Sequence, residues 1–66
     1  MSSVGDEFPK EQERARRLLE QYRAIGAAGA FGASVIEAAM RRAEAAVISG
    51  DVVEILRAYE ELRGLK

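Results

Sequence analysis

The sequence predicts an all-α fold: three helices, the second and third forming an αα-hairpin, with a glycine-rich connector after the first, assembled as a homo-oligomer. Three observations carry this prediction. Apolar residues recur at helical spacing in three separate stretches. Glycines punctuate the two joints between the stretches. The second and third stretches each open on a capping side chain with a glutamate three residues later.

Residues 1–7 are small or polar and show no periodicity, so they are expected to form a flexible arm ahead of a single helical domain spanning 8–66. Pro9 suits a first helical turn, where its missing N–H costs nothing, and Glu7, Glu11 and Glu13 place negative charge near the positive end of the dipole. The first helix is therefore predicted over 9–25. Ala15, Leu18, Leu19, Tyr22 and Ile25 form its apolar stripe, Arg14, Arg17, Glu20 and Gln21 lie mostly opposite, and Gly26 ends it.

Glycine stands at every third position of the connector, at 26, 29 and 32, with Phe31 available to plug the joint. Glycine is unfavourable in a helix by about 1 kcal/mol relative to alanine, so this run reads as a break. Ser34 and Glu37 match a capping box, which places the second helix at 34–49 with Ile36, Ala39, Met40, Ala43 and Val47 on its apolar face. Ala38, Ala45 and Ala46 widen its small-residue surface and permit close approach of another helix. After Ser49 and Gly50, Asp51 with Glu54 repeats the capping arrangement and opens a third helix over 52–63. Its stripe is Val52, Ile55, Leu56, Tyr59 and Leu62, closed by Gly64 as the C′ residue of a Schellman cap with Leu65 in contact. A joint of about three residues makes the last two helices a hairpin.

Of the 32 hydrophobic residues 12 are alanine, leaving 20 larger apolar side chains in 66 residues. Domains this small usually need a staple. Cysteine and histidine are absent, which removes disulfides and the usual zinc and haem ligands, so no cofactor or metal is expected and association with a second copy is the remaining device. The first helix is long for its share of the core and is expected to pack on another subunit. Leu18, Leu19, Ile36, Met40, Ala43, Val47, Ile55, Leu56 and Tyr59 are the candidate core and oligomer residues. Ten Lys and Arg against eleven Asp and Glu leave a net charge of −1, without the basic excess that duplex DNA demands. Residues 43–62 could imitate a helix-turn-helix, but Glu54, Glu60 and Glu61 stand where phosphate contacts need lysine or arginine. No apolar run reaches the roughly 18 residues of a membrane span, and no leader pattern opens the chain, so a cytoplasmic protein is expected.

Catalysis is not expected either. Histidine, the side chain that titrates near neutrality, is missing, and Ser34 and Ser49 sit at helix boundaries where capping accounts for them. Glu13 with Arg17, Glu37 with Arg41, and Arg57 with Glu61 have the spacing of exposed i,i+4 pairs. The connector is the exception. A glycine-rich loop entering a helix N-terminus can present N–H groups to an anion, although no Gly-Lys-Ser/Thr is present and the loop follows a helix. The same glycines also serve a purely steric purpose, letting two helix backbones touch. On the binding reading, the N–H groups from Gly29 through Gly32 to Ala33 hold phosphate, Arg23, Arg41 and Arg42 neutralise it, and Tyr22 or Phe31 stacks on a base.

The run Tyr22-Arg-Ala-Ile-Gly-Ala-Ala-Gly-Ala-Phe-Gly32, with Ser49-Gly-Asp-Val-Val53 and Arg57-Ala-Tyr-Glu-Glu-Leu62, resembles small proteins encoded by bacteriophages and prophages. The helix-Gly-Asp-helix step over 43–62 also looks like that of tetratricopeptide-type repeats, as architecture alone. The phage resemblance implies a compact, enzymatically inert counter-defence factor in a bacterial cytoplasm. Such a factor would act by sequestering a phosphate-bearing ligand such as a cyclic nucleotide at an intersubunit pocket, or as an interaction module that blocks a host or phage protein.

Overall fold

A computed structural model describes residues 3–66, which are helical almost throughout and contain no strand. Helix α1 runs Val4–Ile25, a 3-10 turn covers Gly26–Gly29, α2 runs Ala30–Ser49 and α3 runs Val52–Arg63.

Helix α1 begins five residues ahead of its expected start. Ser3 caps it through a reciprocal box: its hydroxyl accepts the Asp6 N–H at 3.2 Å, and the Asp6 carboxylate accepts the Ser3 N–H at 3.3 Å. Residues 3–7, expected as part of an arm, thus belong to the cap and first turn, while Met1 and Ser2 lie outside the described residues. Pro9 falls inside the helix and forfeits one bond, to the exposed Gly5. The extra turns carry Phe8 into the core, where its ring stacks on Tyr59 with centroids 6.5 Å apart, and Arg63 covers the same tyrosine at 5.5 Å.

The connector is more ordered than its glycines suggest. Gly26 takes φ +86 and ends α1, a conformation that favours glycine, and the following 3-10 turn runs directly into α2 with the Ala30 N–H donating to the Ala27 carbonyl. Helix α2 therefore starts at Ala30, and Ser34 lies within its second turn, where it caps nothing. At the other end Gly50 adopts the left-handed conformation with φ +70. Asp51 caps α3 as expected, accepting from Val53 at 2.8 Å and Glu54 at 3.4 Å. Its own N–H is taken by Ser49 Oγ at 3.1 Å, and Glu54 turns instead to Arg57. Gly64 has φ −77, so the left-handed Schellman residue expected there is absent, and Leu65 packs half-buried against the core.

All three helices contact one another, α1 packing on both α2 and α3 within the chain. The buried cluster contains four large side chains, Phe8, Leu19, Ile36 and Leu62, and six alanines. Burying each large one contributes about 1.5–3 kcal/mol, and the alanines far less. Of the expected core, Leu18, Met40, Ile55 and Tyr59 pack at its margin and Ala43 is fully buried, whereas Val47 and Leu56 face solvent, together with Ile25 and Val52. The expected stripes were too wide, by Ile25 on α1, Val47 on α2 and both Val52 and Leu56 on α3, because each included positions that no neighbour covers. No helix of the described residues is long and apolar enough to cross a membrane.

Candidate functional site

The connector brings its glycines against α1. A Cβ on Gly29 would overlap the Tyr22 carbonyl oxygen, and one on Gly32 would overlap the Tyr22 ring. Tyr22 in turn donates its hydroxyl to the Lys66 backbone oxygen at 2.5 Å, so its ring is held between the start of α2 and the end of the chain. Gly29 and Ala33 are buried. The space a phosphate would need beside these residues is occupied by a tyrosine ring, and a carbonyl oxygen, which repels anions, faces Gly29.

The three arginines do not converge there. Arg23 on α1 pairs with Glu37 on α2 at 3.2 Å, and Arg41 approaches the same carboxylate from one turn along at 4.0 Å. Arg42 points to the other side, where it holds Glu61 of α3 through Nε at 2.9 Å and Nη2 at 2.5 Å. That forked hydrogen bond keeps the Glu61 carboxyl below its ordinary pKa and raises that of Arg42. Among the expected surface pairs, Glu13 with Arg17 forms at 3.6 Å, whereas Arg57 pairs with Glu54 and Glu61 with Arg42. Phe31, expected to stack on a base or to plug the joint, does not plug the joint and is 82% exposed.

No family model matches the chain, and neither a curated protein nor a solved structure matches it.

Two surface features lie away from the glycine connector. One is a groove of about 550 Å³ between α2 and α3, floored by Ala45, Ala46 and Ala58 and closed at one end by the Arg42–Glu61 pair. The other is an apolar patch bracketing the α2–α3 turn, made by Val47, Ile48, Val52, Val53 and Leu56, with Ile48 86% exposed. Helical spacing could have found the groove side: Phe31, Val35, Ala38, Arg42, Ala45 and Ser49 alternate steps of four and three along one line of α2. Arg14 was also misplaced by periodicity. It is half-buried, and its guanidinium donates to the carbonyls of Leu62 at 2.6 Å and Leu65 at 2.9 Å while Nε pairs with Glu11 at 2.8 Å. The last carbonyls of a helix have no partner within it, and Arg14 supplies one from α1.

Proposed function

We propose that the chain is a non-enzymatic protein-interaction module whose docking surface is the apolar patch around the α2–α3 turn. The observation that carries this reading is the patch itself. Five branched aliphatic side chains bracket a two-residue turn and remain exposed, in a chain that has only four large side chains in its buried cluster. A surface that withholds so much apolar area from so small a core is best accounted for by a partner that covers it. Two further observations favour binding over chemistry: the buried side chains among the described residues are all apolar, and the carboxylates with displaced pKa values are pushed downward by arginine, away from the range useful to a general acid.

The finer architecture belongs to the same proposal. Gly50 and Asp51 alone separate α2 from α3, and Arg42 reaches Glu61 across them, as an antiparallel hairpin requires. The hairpin presents the turn at its tip, with α1 alongside through Phe8 and Tyr59. The resemblance to small phage proteins supplies the setting, a bacterial cytoplasm, and the target class, a host or phage protein to be blocked.

The test places a photo-crosslinking residue at Val52 and compares capture in bacterial lysate with and without the added substitution Ile48→Arg, and with the crosslinker at Glu20 instead. A stoichiometric protein captured through position 52, lost when Ile48→Arg is added with helicity unchanged, supports the reading. Absence of any such partner, together with a nucleotide that raises the melting temperature, replaces it with phosphate-ligand sequestration.

A further inference from the structure

The line Phe31, Val35, Ala38, Arg42, Ala45, Ser49 has the spacing of a coiled-coil seam, yet it faces away from the core. The buried residues of α2, Ala33, Ile36, Ala39, Ala43 and Ala46, form a different face of the same helix. The second seam is graded in size. Its N-terminal half carries the large residues Phe31 and Val35, and its C-terminal half carries Ala45 and Ser49 beside the alanine-floored groove. Its single charge, Arg42, is neutralised within the chain by Glu61.

From this grading we infer that α2 pairs with α2 of a second copy, antiparallel about a two-fold axis between Ala38 and Arg42, with Phe31 of each chain seated in the groove of the other. In that register Phe31 lies opposite Ser49 and Val35 opposite Ala45 of the second chain. Large side chains then meet small ones at both ends, whereas a parallel pairing would set Phe31 on Phe31 and leave both grooves empty. A two-fold axis requires such a self-complementary surface.

The dimensions also suit a dimer. Helix α2 has 20 residues against 12 in α3, so about 12 Å of α2 extends past the length of α3, and it is at this end that Phe31 and Val35 are exposed. The face consists of about 30 Å of α2 and about 18 Å of α3, each about one helix diameter wide, on the order of 500 Å² per partner and about 1,000 Å² for the pair, the size at which specific interfaces begin. The radius of gyration, 12.2 Å, exceeds the about 11 Å expected of a compact chain this long, as a flat half of a larger bundle would. The seam is distinct from the turn patch of the proposed function, and neither depends on the other.

Sedimentation of the full chain from micromolar to submillimolar concentration, with Phe31→Ala and Ala45→Leu alongside, tests the inference. Phe31→Ala removes the anchor and Ala45→Leu fills its seat, so each is expected to weaken the dimer by at least about tenfold in Kd with the circular dichroism spectrum unchanged. Because the sequence has no cysteine, Val35→Cys and Ala45→Cys can be mixed as single variants that keep Phe31. Mild oxidation should then give the mixed disulfide in preference to either symmetric one, and Glu60→Cys should join neither. A wild-type chain that stays monomeric throughout overturns the inference, as does a dimer that survives both Phe31→Ala and Ala45→Leu. Equal yields of mixed and symmetric disulfides reject the antiparallel register. Ile48→Arg should leave the dimer intact, so loss of target capture and loss of self-association are separable.

Discussion

At the scale of single residues, the contacts that fix this fold join positions far apart in sequence. Arg14 reaches three carbonyls at the end of α3, those of Leu62, Arg63 and Leu65. Hydrogen bonds to a charged donor contribute about 1.5–3 kcal/mol, so Arg14→Ala should lower stability by that order in a urea titration. Arg14→Lys should recover only part of the loss, because a single ammonium nitrogen lacks the planar spread by which Nη1 and Nη2 reach separate carbonyls. Glycine packing gives a second expectation. Substituting alanine at Gly29 or Gly32 relieves the helix-propensity penalty of about 1 kcal/mol but inserts a methyl group into an occupied space. At Gly29 the obstacle is the Tyr22 backbone and at Gly32 only its ring, so Gly29→Ala should cost more, with overpacking of about 1–3 kcal/mol setting the scale. Thermal melts of the two variants that rank in the opposite order would show that the tyrosine is the more rigid obstacle. None of this could be read from periodicity. A guanidinium on the edge of a helix looks solvated until the chain end it caps, roughly fifty residues on, is in place.

At the scale of elements, hydrophobic spacing made the three helices readable, and capping chemistry located their ends unevenly. Asp51 was identified correctly because an acidic side chain directly after Ser-Gly has few other uses. Ser34 was not, because the 3-10 turn of Gly26–Gly29 carries the backbone into α2 without a break, so α2 begins four residues earlier and needs no side-chain cap there. The first helix was shortened for the opposite reason: Pro9 was assigned to the first turn, when Ser3 and Asp6 had already started the helix. The two serine and aspartate positions give a paired prediction. Asp51→Ala should destabilise by about 1 kcal/mol through loss of the Val53 and Glu54 N–H acceptors. Ser34→Ala should stay within about 0.5 kcal/mol of the parent, as exposed substitutions away from such features do. Both are read from urea midpoints, and an equal loss at Ser34 would restore it as a cap.

At the scale of the whole molecule, an alanine-rich core leaves few interactions to hold the three helices in one arrangement, and ion pairs between helices take part of that role. The sequence showed the arginines as a group around the connector; folding divides them, because positions 41 and 42 on one helix point about 100° apart. Arg41 stays with Glu37, and Arg42 ties α2 to α3 through Glu61. The Glu61 pKa is lowered first by the Arg42 hydrogen bond and then by its charge, with partial burial opposing both. A carboxyl whose folded pKa lies below its unfolded one binds fewer protons in the native state, so it adds stability above the unfolded pKa. That stability is lost as pH falls through the folded value. Wild type should therefore exceed Glu61→Gln in urea midpoint at neutral pH, and the gap should close on acidification below the usual carboxylate range. Glu13, whose pKa is also lowered by its hydrogen bond from Arg16, is present in both proteins and cancels from the comparison. A gap that persists undiminished in acid would mean that Glu61 acts through packing of its side chain and that the charge of the Arg42 fork is not what joins α2 to α3.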